Sequence, residues 1–184
     1  MATQWQLDPY HTQVEFSAKH LGMMTVRGNF TELRSTGTVD PDHPESSQFS
    51  VTIDTASIQT HNQIRDNDLR SSNFLDVATY PTMQFNTTDF RSIDDDHYAL
   101  TGDLTIKNNT HPVTLQVTKL GEFNDPMMGH RIGYNASTTI NRQDFGVNLN
   151  AVLDGKFVVS DEIKITIEGE LLENSEQSAD ETST

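Results

Sequence analysis

Histidines, aspartates and arginines are the side chains of this sequence with the most obvious chemical potential. The seven histidines, His11, His20, His43, His61, His97, His111 and His130, are scattered, with no His-x-His pair and no HExxH. A zinc site would therefore have to be assembled from distant positions, and turn or surface placement is the plainer expectation. His20 differs, because it follows Val14, Phe16 and Ala18 in phase and so belongs inside whatever that face encloses. There it is either a hydrogen-bonded core group, since buried polar groups need partners, or a ligand contact. Asp94, Asp95 and Asp96 lack the glycine and terminal glutamate of a calcium loop and read as a solvated turn. Asn29, Asn86, Asn108 and Asn135 lie in N-x-S/T sequons, which matter only on passage through a glycosylating pathway.

Arginine presents a planar fork suited to phosphate or carboxylate oxygens. Arg27, Arg65 and Arg142 are candidate head-group contacts, while Asp66 four residues before Arg70 predicts a surface ion pair on a helix. The competing reading of Arg142 is that Asp144 or another nearby acid neutralises it. No G-x-S-x-G elbow, P-loop or dinucleotide fingerprint occurs, and the absence of cysteine removes thiolate nucleophiles, thiolate metal sites and disulfides. No catalytic residue, metal or cofactor is expected.

Twelve Lys and Arg stand against 27 Asp and Glu, a net charge of −15, and this acidic field argues against a nucleic-acid partner. The 184 residues suit one domain, residues 1–173, followed by an acidic, polar tail at 174–184 (NSEQSADETST) that reads as disordered. The first residues, MATQWQLDPYHTQVEF, lack the basic start and apolar run of a signal peptide, and no segment is long enough to span a bilayer as a helix. A cytoplasmic protein is expected.

The elements that must position these groups are mostly strands. Val14, Phe16 and Ala18 alternate with polar residues, as do Phe49, Val51 and Ile53; Met83 and Phe85; Leu100, Gly102, Leu104 and Ile106; Val113, Leu115 and Val117; Ile132, Tyr134, Ala136, Thr138 and Ile140; and Ile163, Ile165 and Ile167. Gly28 predicts a bulge or tight bend. Residues 20–24, 94–96, 108–112 and 141–146 read as turns, and residues 147–157 carry no clear pattern.

Residues 65–81, RDNDLRSSNFLDVATYP, interrupt the alternation. Thr60 and Gln63 fit a capping box, predicting a helix that runs to about Arg70. Phe74, Leu75, Val77 and Tyr80 then offer apolar side chains before Pro81. About eight strands with one apolar face each cannot be covered by one short helix, so the sheet must stack or close. The expected fold is all-β, an eight-stranded antiparallel β-barrel with one or two short helices. A barrel of this size either fills with its own side chains or holds a slender ligand.

Five stretches in order carry a resemblance: HTQVEFSAKHLGMMTVRGNF (residues 11–30), RDNDLRSSNFLDVATYPTMQF (65–85), LTGDLTIKNNTHPVTLQV (100–117), TINRQDFGV (139–147) and SDEIKITIEGEL (160–171). The chain resembles the YceI-like family of polyisoprenoid-binding proteins from near Trp5 to about Leu171. It departs from the usual pattern at Asp68, where the family has histidine, and at Leu75, where it has phenylalanine. The resemblance implies a lipocalin-like barrel whose pore holds an isoprenoid or similar lipid without catalysis, and a homodimer. The expected lining is Val14, Phe16, His20, Phe30, Ile53, Phe85, Leu104, Ile106, Leu115, Tyr134 and Ile165, with Phe74, Leu75 and Tyr80 as plugs or gates. The alternatives are an enzyme acting on a lipid in the pore, or a structural or stress-related protein with a filled barrel.

Overall fold

The computed structural model describes residues 2–40, 42–153 and 156–174. The first six strand segments are β1 (Thr3–Leu7), β2 (Gln13–His20), β3 (Met24–Phe30), β4 (Leu33–Val39), β5 (Gln48–Asp54) and β6 (Ile58–Gln59). The helix α1 (Gln63–Arg70) follows, then β7 (Thr82–Ser92), β8 (His97–Ile106), β9 (Asn109–Asp125) and β10 (Gly129–Asn141). The chain ends with β11 (Val152–Leu153), β12 (Lys156–Phe157) and β13 (Glu162–Glu173).

Eight of these segments close a ring of antiparallel neighbours, in the order β1, β4, β5, β7, β8, β9, β10, β13 and back to β1. The all-β barrel is as the alternation required, because closure leaves each strand one face to bury and no open edge.

The ring is assembled differently at its two ends. β13 pairs with β1 through residues 171–173 and with β2 through residues 164–168, so a kink at residues 8–12 splits one strand position in two. β3 with β4, and β5 with β6, are split in the same way. At the β2 end the wall runs β13, β2, β3, β6 and stops. Residues 60–81, with α1 at their centre, fill the gap between β6 and β7.

That helix starts differently from the expected capping box. Asn62 is the N-cap, its side chain accepting from the Arg65 amide. Thr60 instead donates its backbone N–H and hydroxyl to the buried Asp66 carboxylate, at 2.8 and 2.6 Å. Asp66 therefore does not pair with Arg70, which donates to the carbonyl oxygens of Ala56 and Ile58. Both charges hold the helix block against the sheet, because buried N–H and C=O groups in this gap have no strand to satisfy them.

The turn expected at residues 108–112 contracts to two residues, Lys107 and Asn108, with Lys107 at φ 56°. Residues 109–112 belong to β9, which continues to Asp125, well past Val117. The unpatterned stretch contributes β11 and β12. Asn174 donates its amide to Gln4, and the rest of the acidic tail lies outside the described residues.

Gly28 marks no bulge. It sits in unbroken register opposite Phe16, and a Cβ there would lie 2.5 Å from Phe16 Cζ and 2.8 Å from the Gln59 carbonyl oxygen. A Cβ on Gly37 or Gly102 would likewise run into the ring of Phe49 or Phe85. All three glycines share the inward phase of their strands, so each lets a phenylalanine ring lie along the wall instead of across the lumen. Gly28→Ala is expected to cost about 1–3 kcal/mol by overpacking against side chain and backbone; urea unfolding of the purified variant measures it, and an unchanged midpoint would refute the close-approach account.

Candidate functional site

The inward faces of the strands enclose a cavity of about 940 Å³. An eight-stranded barrel can be filled by its own side chains, and here it is not. The phenylalanines laid on glycines are one local reason; the second is that inward positions such as Ala18, Ala136 and Thr138 carry small side chains.

The wall includes every side chain expected from the strand phases: Val14, Phe16, Phe30, Ile53, Phe85, Leu104, Ile106, Leu115, Tyr134 and Ile165. Phe16, Phe30, Ile53, Phe85, Leu104, Tyr134 and Ile165 are only half-buried, since part of each faces open space. Further wall residues, Leu100, Val113, Val117, Ile132, Ile140, Ile163, Ile167 and Leu171, lie on the same alternating faces and were legible from the same signal. Val147, Val158 and Val159 also line the cavity, but they sit outside regular strands, where no periodicity marks them.

One end of the cavity is closed by a packed apolar plug. Phe74 and Leu75 join Ile58, Met83, Ile106, Phe145 and Val147 in a buried cluster. Lys107 ties the plug down, donating to the carbonyls of Phe74 and Gly146 at 3.1 and 3.2 Å, and Asn109 donates to Phe145 O at 3.0 Å. Tyr80 is not part of the plug; its ring lies beneath the Lys107 ammonium, 5.9 Å away.

His20 is not a core histidine. It keeps the inward phase of β2, yet it lies at the rim, exposed, with Nδ1 3.2 Å from the Val158 carbonyl oxygen. It nonetheless borders the cavity, as its phase implies, with Met24 and Val159 as its strand neighbours.

The three arginines border the cavity, but none turns a free guanidinium into it. Arg142 is 4% exposed; it donates to the carbonyls of Val147, Leu149, Ser160 and Val159 and to Asn150 Oδ1, and pairs with Asp161 at 3.1 Å. The acid beside it is thus Asp161, not Asp144. Arg65 gives Nε and Nη2 to the hydroxyl and carbonyl of Thr60. Arg27 is exposed and alternates with the inward Val26 and Gly28, so its side chain points away from the lumen.

At the end opposite the plug, the wall carries charge. Lys119 and Glu122 border the cavity and pair with each other, while His130 places Nε2 2.6 Å from Glu122 and Nδ1 2.8 Å from Glu173. Burial works against the imidazolium, but the two carboxylates win and raise the His130 pKa above its ordinary 6.5. A raised histidine pKa stabilises the fold fully below the unfolded value, and the contribution is lost as pH rises through the folded value. His130→Gln is expected to lower the melting temperature more at about pH 6 than at about pH 9. An equal loss at both would show that the charge contributes nothing.

Nearby, Asp8, His11 and Glu170 bring ligand-type atoms within 4.8 Å of one another. Arg131 already occupies the cation position, donating to Asp8 at 2.6 Å and Glu170 at 2.8 Å. Burial favours a protonated Asp8, but His11, Arg131 and the Tyr10 amide overcome it and hold the carboxyl at about 2. This cluster is an ion-pair staple for the kink between β1 and β2, and no metal is assigned to it.

Comparison with known proteins gives one answer at several levels. The family model for the YceI-like domain matches residues 5–171. A UPF0312 protein of Pseudomonas putida is 38% identical over 149 residues, covering 80% of this chain and 78% of that one. The solved structure of a Campylobacter jejuni YCEI protein superposes with a TM-score of 0.74 at 31% identity, covering 86% of this chain and 90% of the other. A polyisoprenoid binding domain from Saccharophagus degradans shares the fold, with a TM-score of 0.66 at 14% identity over 92% of this chain and 98% of that domain. A closed barrel, hollow along its strands and plugged where the helix block fills the wall, is thus what this sequence builds as a member of the YceI-like family.

Proposed function

We propose that the protein binds and carries, or sequesters, a polyisoprenoid or related long-chain amphiphilic lipid inside the barrel, without catalysis. The observation that carries this reading is the apolar cavity of about 940 Å³ closed at one end by the Phe74, Leu75 and Phe145 plug. Its volume is near the upper end of the usual range for ligand sites, and its walls are strand-borne aliphatic and aromatic side chains. The solved structure from Saccharophagus degradans, described as a polyisoprenoid binding domain, supports the same ligand class.

Chain length decides whether such binding is strong. Each methylene removed from water contributes roughly 0.8 kcal/mol, and association costs an estimated 4–15 kcal/mol. A chain of about ten carbons, worth roughly 8 kcal/mol, only meets that cost, whereas one of about twenty exceeds it. A long chain is therefore the occupant that suits the cavity.

Solvent extraction of the purified protein followed by mass spectrometry tests the proposal directly. A co-purifying or added long-chain prenyl lipid at near-stoichiometric amount is expected. No uptake of any prenyl lipid would refute it and favour a structural role.

A further inference from the structure

Resting on the carrier reading, we propose that the β2–β3 hairpin is the face by which the protein docks on a bilayer containing anionic phospholipid, with Met23 and Met24 entering the acyl boundary and Lys19, Arg27 and Lys164 meeting lipid phosphates. Both methionines are largely exposed, at 60% and 68%. They stand at the turn joining β2 to β3, where Leu21 and Gly22 take φ of 52° and 70°.

A lipid drawn from a membrane has to reach the lumen without crossing water, and the lumen opens here. Val159 packs against the plug and bridges to His20 at the end of β2, so the hairpin tip stands beside the plug. Lys19, His20, Met24 and Arg27 border the cavity from the hairpin and Asp68 borders it from α1, and all are exposed. The cavity therefore reaches the surface between the tip and the helix, with Met24 on its rim.

Charge identifies the partner. Although the molecule carries −15 overall, its cations are unevenly committed. Arg34, Arg91, Lys119, Arg131 and Arg142 pair with carboxylates, and Arg65, Arg70 and Lys107 donate to backbone carbonyls. Lys19, Arg27 and Lys164 pair with no carboxylate among the described residues; the Lys19 ammonium donates to the Thr25 hydroxyl at 2.8 Å. Register gathers these three, because Lys164 faces Ser17, Ser17 faces Arg27, and Lys19 is the next residue of β2 on the same outer face. Glu15 and Glu162 share that face, and Asp68 across the opening is offset by Arg65 on the same helix. Charges farther off than about 8 Å are largely screened at physiological ionic strength, so the local sign decides contact with a charged surface. Arg27 lies three residues, roughly 10 Å, behind Met24. A tip that sinks about 5–10 Å into the interface thus leaves the cations level with the phosphates.

The β9–β10 tip, at the opposite end of β13, supplies the contrast. Met127 and Met128 are 95% and 57% exposed there, but their amides are held by the Asp125 carboxylate and Glu122 stands on the same hairpin. An apolar tip set on acids is repelled by an anionic surface.

Co-sedimentation of the intact protein with phosphatidylcholine vesicles, with and without phosphatidylglycerol, tests the assignment. Binding is expected to rise with phosphatidylglycerol and to fall with added salt. Met23→Ser combined with Lys164→Gln is expected to weaken it about fiftyfold, from about tenfold for one buried methionine and about fivefold for one cation at an anionic surface. Met127→Ser combined with Met128→Ser should leave it unchanged. No preference for phosphatidylglycerol, no loss in the first variant, or an equal loss in the second would each overturn the assignment. A wild-type protein that pellets with neither vesicle, and whose self-association is lost in the first variant, would overturn it in favour of a second copy of the chain. Failure of the wild-type protein to take up geranylgeraniol from detergent solution would instead overturn the carrier reading, whereas the vesicle assay alone decides the docking face.

Discussion

Arg142→Met is expected to destabilise the barrel by about 3–5 kcal/mol, the usual cost of breaking a buried, fully bonded charge network. The single guanidinium satisfies carbonyl oxygens from two segments outside the barrel strands, Val147 and Leu149 on one side and Val159 and Ser160 on the other. Methionine fills comparable space but donates nothing, leaving those acceptors without the guanidinium and Asp161 without its counter-charge. At roughly 2–4 °C per kcal/mol for a domain of this size, the melting temperature should fall by about 10 °C. Arg142→Lys should recover only part of the loss, because an ammonium cannot present the planar fork to acceptors on both sides. Thermal unfolding of the two variants decides the matter, and a Met variant within about 2 °C of wild type would make the network dispensable.

Val117→Trp is expected to separate folding from ligand capacity. Val117 is half-buried on the inner face of β9, between Tyr98 of β8 and Ala136 of β10. An indole there projects into open space instead of into a packed core, so overpacking is small. It displaces ligand volume, and excluding about three methylenes at roughly 0.8 kcal/mol each corresponds to about a fiftyfold loss of affinity. The expected outcome is a protein with near wild-type unfolding and little lipid in its extract. Retained lipid in a well-folded variant would place the ligand outside the lumen and sink the cavity reading.

The sequence made the wall legible because β periodicity is local. Residues at i, i+2 and i+4 share a face whatever lies across the sheet, so Val14, Phe16, Leu104, Leu115 and Ile165 could be assigned inward before any partner strand was known. At His20 the same logic gave the inward phase, and the residue does border the cavity, but it could not show that His20 stands exposed instead of in a packed core. Arg27 shows the converse: its charge drew attention to a position whose phase already turned it outward.

The helix block was recognisable as an interruption, and the structure packs its Phe74 and Leu75 into a buried apolar cluster. Its internal bonds were misread, because a capping box and an i, i+4 ion pair are the rules of an exposed helix. Here the block fills a gap between β6 and β7, and Asp66 and Arg70 meet the sheet's unpaired backbone groups instead of each other.

By itself, then, the sequence determined the all-β class, the strand phases, the inner face and the family, all of which follow from alternation and local motif. Only the tertiary structure decided that the barrel is hollow, that Arg142 and Arg65 are spent on the protein, and that Thr12 packs against Gly169. Each of these depends on what stands across from a residue: Phe16 beside Gly28, Arg142 beside two loops, and Thr12 over Gly169 are contacts between positions far apart in the chain. Such pairings carry no local periodicity, so they come into existence only when the ring closes.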